Sequence, residues 1–102
     1  MKFDNSIKLY ERGLKSIAGG VSSQIRIDEP ADVPLFFAKA KGSKIWDADG
    51  NEYIDYIQGM GPNIFGHAPD FIVQAVNLDM QNGFVFAGQH EKEVEVAEMA
   101  LE

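Results

Sequence analysis

The side chains able to do chemistry in this chain fall into a few small groups. Arg26 stands between Ile25 and Ile27, shortly after the pair Gly19-Gly20. A guanidinium is a planar fork of donors that matches a carboxylate in bidentate fashion, which makes Arg26 a candidate anion clamp. By spacing alone a surface ion pair is the plainer account, because the chain is rich in acids. Asp47-x-Asp49-x-Asn51 imitates the opening of a calcium loop. That loop needs Gly at its sixth position and Glu at its twelfth, and Glu52 and Gln58 stand there instead. Gly59-x-Gly61 begins like a phosphate-cradling fingerprint, but Ile64 replaces the third glycine and no Gly-Lys-Ser/Thr follows. These glycines read better as places where the backbone passes close to another surface. His67 and His90 lack a carboxylate or second histidine at ligand spacing on a helix, so no metal site is expected. Both read as structural, His67 satisfying backbone groups near a helix start.

These residues need elements to position them. The stretch from Lys44 to Ile57 organises the rest. Lys44-Ile45-Trp46 and Tyr53–Ile57 are rich in aromatic and β-branched residues, and Asp47-Ala48-Asp49-Gly50-Asn51 between them has turn chemistry. That is a β-hairpin pattern. A hairpin alone is marginal in water and needs a third strand or a helix against it. Leu35–Ala40 supplies the strand, ended by Lys41-Gly42-Ser43, to make a three-stranded antiparallel sheet. Ile7, Tyr10, Leu14 and Ile17 predict a helix from Ser6 to Ala18, with Asn5 or Ser6 as its cap and Gly13 as a weak point inside it. Gly19–Arg26 reads as a flexible start followed by an extended run, and residues 28–34 as a loop. Pro69 opens a second helix lined by Phe71, Ile72, Ala75, Val76 and Met80, and Gly83 ends it. Val94, Ala97 and Leu101 mark a third, which reaches the last residue with glutamates where the helix dipole favours cations. The fold class is α+β, and this uncapped last helix suggests the front piece of something longer.

Composition narrows the function classes. The 102 residues suffice for one small domain, and 45% hydrophobic content argues against disorder. A net charge of −7 repels nucleic-acid backbones and anionic lipid, so neither nucleic acid nor membrane is an expected partner. The absence of cysteine removes disulfides, thiolate metal sites and cysteine nucleophiles. No apolar run is long enough to span a bilayer, and Met1-Lys2-Phe3-Asp4 does not open a signal peptide, which sets a cytoplasmic default.

Three stretches carry a resemblance. Gly19-Gly20-Val21-Ser22-Ser23-Gln24-Ile25-Arg26, then Ala40–Tyr56, then Gly61-Pro62-Asn63-Ile64-Phe65-Gly66-His67-Ala68, resemble in order the class III pyridoxal-phosphate (PLP) aminotransferases, a family that includes the glutamate-1-semialdehyde 2,1-aminomutases and related amino-acid transaminases. The similarity runs from about Ser6 to the end. It implies that residues 1–102 are an N-terminal segment contributing to the small domain of a fold-type I PLP enzyme, a homodimer with active sites at the subunit interface. It implies amino-group transfer on a small amino, keto or semialdehyde substrate bearing a carboxylate. Arg26 matches the arginine placed to hold that carboxylate, and Ser23 would lie in the substrate-facing wall. Met60 departs from the Trp-Gly-Pro pattern of the aminomutases at a pocket-wall position, and Ala87-Gly88-Gln89-His90-Glu91 departs from their Gly-Ala-Pro-Thr-like loop. Both departures favour a carboxylate-bearing amino-acid transaminase. The family's Schiff-base lysine, the acid facing the pyridine nitrogen and the phosphate loop fall outside the matched stretch, so no catalytic or cofactor-binding residue is expected here. Alone, the segment should be inactive. A non-catalytic interaction module is the alternative from another class.

Overall fold

The computed structural model describes residues 1–26 and 33–101, and these divide into two units, Met1–Pro69 and Asp70–Glu102. In the first unit the helix α1 (Asp4–Gly13) precedes a three-stranded antiparallel meander, β1 (Phe37–Lys41), β2 (Lys44–Asp47) and β3 (Glu52–Ile54), in the order β1-β2-β3. The hairpin forms where the aromatic and β-branched arms predict it: Ile45 pairs with Tyr53 and Trp46 with Glu52, around a turn in which Gly50 has φ 84°. Strand β1 runs Phe37–Lys41 where Leu35–Ala40 is expected. The tight turn at Gly42-Ser43 lets Lys41 pair with Lys44, and a bulge separates the Phe37↔Asp47 and Lys39↔Trp46 pairs. The second arm stops at Ile54, short of Ile57, because the Asp55 carboxylate takes the next backbone N–H groups into a turn.

Two further expectations are corrected in α1. The helix begins at Asp4 and ends at Gly13, and its N-cap residue, Phe3, makes no side-chain cap. The cap comes from the hairpin: Asp49 Oδ1 and Oδ2 accept the N–H groups of Asn5 and Ser6 at 2.7 and 3.0 Å. A carboxylate placed on a helix N-terminus answers both its orphan donors and its dipole. Gly13, the last residue of the helix, packs against the following turn. A Cβ there would lie 2.5 Å from the Gly20 carbonyl oxygen. The expected extended run after Gly20 is extended at Val21, but the chain then bends and Gln24–Arg26 closes a 3-10 turn with Arg26 N–H donating to the Ser23 carbonyl at 3.1 Å. Serines favour such local turns over strand pairing. Of the loop expected at 28–34, residues 28–32 lie outside the described residues.

In the second unit, α2 (Asp70–Met80) follows Pro69 and α3 (Glu91–Leu101) follows an irregular connection. Gly83, with φ 95°, ends the first as expected. The third helix has a start signal that hydrophobic spacing alone does not reveal. His90 Nδ1 accepts the Lys92 N–H at 3.2 Å, while Glu93 Oε1 accepts the His90 N–H at 3.2 Å. This is the reciprocal logic of a capping box, with imidazole in the serine's role. The Phe86 ring stacks on the same imidazole, and Lys92 forms an ion pair with Asp79.

Burial in the first unit is polar. Among the described residues no large hydrophobic side chain is buried, whereas Asp47 and Ser6 are. Asp47 accepts hydrogen bonds from the Asp49 and Asn51 N–H groups, Asn51 Nδ2 and the Tyr53 hydroxyl, all between 2.8 and 3.0 Å. Burial pushes its carboxyl up, and these donors more than offset that, holding it below the usual carboxylate range.

Candidate functional site

The sequence points to Arg26, Ser23 and Met60. The first two share the Gln24–Arg26 turn, which the Ser23 carbonyl closes. Ser23 is half-buried and Arg26 is exposed. Arg26 Nη1 donates to Ser22 Oγ at 2.8 Å, one turn back. That contact restrains a long flexible side chain and leaves an anion-seeking head at the surface.

Met60 is 69% exposed on a different turn, Gln58–Met60, whose backbone is unusual. Gln58, Gly59, Met60 and Gly61 have φ of 50°, 65°, 65° and 116° in succession. For an L-residue the left-handed region costs roughly 1–2 kcal/mol, so Gln58 and Met60 are held there by their surroundings. Asp55 does much of the holding. Its Oδ1 accepts the N–H groups of Ile57 and Gln58 at 2.9 and 3.1 Å, and its carbonyl accepts Gln58 Nε2 at 2.6 Å.

His67 completes the arrangement. Its Nε2 lies 2.5 Å from Asp55 Oδ2, and its Nδ1 lies 3.3 Å from Asn63 Nδ2. An amide NH2 can only donate, so Nδ1 accepts and the ring proton sits on Nε2, facing the carboxylate. The hydrogen bond from His67 is the largest influence on Asp55 and, with the backbone donors, holds its carboxyl below the usual range. The histidine itself is fixed by a two-way backbone bridge to Gly42, with both N–H···O distances 2.8 Å. His67 is therefore structural, as its spacing suggests, but its ring binds an acid and an amide where backbone groups were expected. Neither the acid nor the amide partner stands at a spacing that sequence patterns flag.

The remaining candidates resolve by contact. The oxygens of Asp47 and Asp49 point at protein donors, so the calcium-like turn is a hairpin and a helix cap. Among the described residues no group of three or more His, Cys, Asp or Glu could hold a metal. In the Gly59-x-Gly61 turn the N–H groups of Met60 and Gly61 are bonded internally, to the Ile57 and Gln58 carbonyls. They cannot cradle a phosphate. The three sheet lysines are also engaged: Lys44 with Glu52 at 2.6 Å, Lys41 with the Ala68 carbonyl at 2.7 Å, and Lys39 over the Trp46 ring at 4.6 Å. Among the described residues no helix is long and apolar enough to cross a membrane.

A helix, an antiparallel meander and two further helices in this order are a piece of a fold-type I PLP enzyme. The family description for class-III aminotransferases matches residues 27–101, and the chain belongs to that family. It is 42% identical to the glutamate-1-semialdehyde 2,1-aminomutase of Persephonella marina, over 100% of this chain and 24% of that protein. It is 46% identical to that of Thermodesulfovibrio yellowstonii, over 95% of this chain and 23% of the relative. Thus the chain spans about a quarter of the length of the relatives it matches. Among solved structures, a transaminase with PLP bound superposes with a TM-score of 0.87 at 30% identity, covering 96% of this chain and 23% of that one. An omega-transaminase from Sphaerobacter thermophilus gives 0.82 at 32% identity, over 91% and 21%.

Proposed function

We propose that residues 1–102 are the N-terminal segment of a PLP-dependent transaminase or aminomutase acting on a carboxylate-bearing amino compound. Arg26 is the carboxylate clamp, and Ser23 and Met60 face the substrate. The observation that carries this reading is the exposed Arg26 head, tethered by Ser22 within a stretch that resembles the family's. A guanidinium so placed binds and orients an acid group while leaving the amino end of the substrate for another part of the protein. Met60, where the aminomutase pattern has tryptophan, makes that wall softer and roomier, which favours an amino-acid transaminase over the aminomutase itself.

The cofactor belongs elsewhere in the polypeptide. PLP needs an amine to attach to and donors for its phosphate; that Lys44 and Lys41 are engaged by Glu52 and the Ala68 carbonyl, and that the N–H groups of Met60 and Gly61 are bonded internally, supports this reading. No reaction step is therefore assigned to residues of this segment, and the segment alone is inactive. Exposed apolar side chains support the need for a larger body. Val76, Leu78 and Val94 are 46%, 67% and 59% exposed. In the family arrangement that body includes the remainder of the chain and a second subunit, and the whole is a cytoplasmic homodimer.

The test is Arg26→Ala in the polypeptide expressed from its own gene and supplied with PLP. KM for L-alanine should rise by roughly tenfold or more, the size expected for a lost charge-assisted hydrogen bond, while KM for 1-phenylethylamine stays within about twofold. Equal changes for the acid and the simple amine would refute the clamp.

A further inference from the structure

The left-handed turn at Gln58–Gly61 is a costly way to present one side chain, and the groups that enforce it converge from both sides. Asp55, just before the turn, gathers the N–H groups of Ile57 and Gln58. Asn63, just after it, packs against Gly59, where a Cβ would lie 3.0 Å from Asn63 Nδ2. His67 ties these two residues together, at 2.5 Å from Asp55 and 3.3 Å from Asn63. Its own backbone is locked to Gly42 at the β1–β2 turn, so the latch is referenced to the sheet. The side chain displayed at the apex is Met60, whose thioether is flexible and 69% exposed. A flexible side chain on a rigid, strained backbone is what a pocket wall needs if it is to be soft yet fixed in place.

We propose that Asp55, Asn63 and His67 form a latch that holds Met60 at one position in the substrate pocket wall, making them positioning residues for substrate selection. The inference rests on the substrate-facing role given to Met60 above. The latch itself does not touch substrate. It acts through the turn, so breaking it should loosen binding more than turnover.

The experiment uses the polypeptide expressed from its own gene, PLP-loaded and labelled with methyl-13C methionine, with the Met60 resonance assigned by Met60→Leu. In His67→Phe the Met60 methyl should shift or split. KM for the best amino-acid donor in a panel of α- and ω-amino acids should rise by about fivefold, with kcat within about twofold. His67→Gln keeps a donor where Nε2 sits and should restore both readings toward wild type. An unmoved methyl in His67→Phe overturns the latch. A moved methyl with unchanged KM also overturns the proposal, and if Met60→Ala leaves KM unchanged too, the fault lies in the substrate-facing role of Met60 and not in the latch. Should His67→Phe fail to fold, the 15N shifts of the wild-type ring decide: Nε2 must carry the proton, and the opposite tautomer refutes the network.

Discussion

Two turns in the first unit are each built on one aspartate, and they put it to opposite uses. At the hairpin, Asp47 is 2% exposed and takes its donors from its own turn and from Tyr53, while Asp49 beside it grips the start of α1. Every oxygen faces inward, and the result is a weld between helix and sheet. At Asp55 the same chemistry gathers backbone N–H groups into a left-handed turn, and the product is an outward-facing Met60. The first carboxylate relieves orphan donors of ordinary elements. The second sustains a conformation that its residues would otherwise avoid. A chain that spends hydrogen bonds on strain has a reason to display what the strain displays, and this difference separates the scaffold turn from the candidate site.

The comparison breaks most visibly at Asp47. Asp47→Ala removes, at a buried position, the acceptor shared by the Asp49 and Asn51 N–H groups, Asn51 Nδ2 and the Tyr53 hydroxyl, so stability should fall by about 3 kcal/mol, read from the urea midpoint. The corresponding change at Asp55 should cost less stability and should instead loosen the turn. Acid makes the same cut without mutation. Asp47, Asp49 and Asp55 all have folded values below the unfolded one, so the stability they contribute is present above about pH 4 and is lost as pH falls through the folded values. Melting temperature against pH should therefore be flat near neutrality and fall on the acid side.

Gly13 sharpens the scaffold half of the contrast. Helix propensity alone says that Gly13→Ala should stabilise α1 by roughly 1 kcal/mol. The 2.5 Å approach to the Gly20 carbonyl says the reverse, because a backbone oxygen cannot swing away. A loss of about 2 kcal/mol is expected from the overpacking, and a gain on calorimetric melting would show that the close approach relaxes cheaply.

The same residue shows what was legible. The hairpin, the third strand and the three helices follow from alternation, turn residues and helical spacing, all local signals. Asp47–Asn51 could be read as a turn and not a calcium loop because the missing ligands are also local. What escaped was every contact between segments distant in sequence: Asp49 capping α1, Gly13 under Gly20, and His67 reaching back to Asp55. Spacing carries no trace of a partner that arrives through the fold. For the candidate site, Arg26 could be singled out from its neighbours, but the left-handed Gln58–Gly61 turn could not, since Gln and Met are poor candidates for positive φ.

The smallest expected effect tests whether the hairpin aspartate is a weld in detail. Tyr53→Phe removes one hydrogen bond to Asp47 and leaves the other three, so about 1 kcal/mol should be lost at neutral pH. The ionisation of Tyr53 then predicts how that loss changes with pH. Burial, followed by the adjacent Asp47 carboxylate, pushes the phenol above its ordinary value of 10.0. A group raised in the folded state contributes stability that is complete below its unfolded value and disappears as pH rises through the folded one. The gap between wild type and Tyr53→Phe should therefore be constant from about pH 6 to 9 and close above about pH 10. A gap that stayed open in alkali would mean the phenol ionises as readily folded as unfolded, and the hairpin would then be as open to water as the turn that carries Met60.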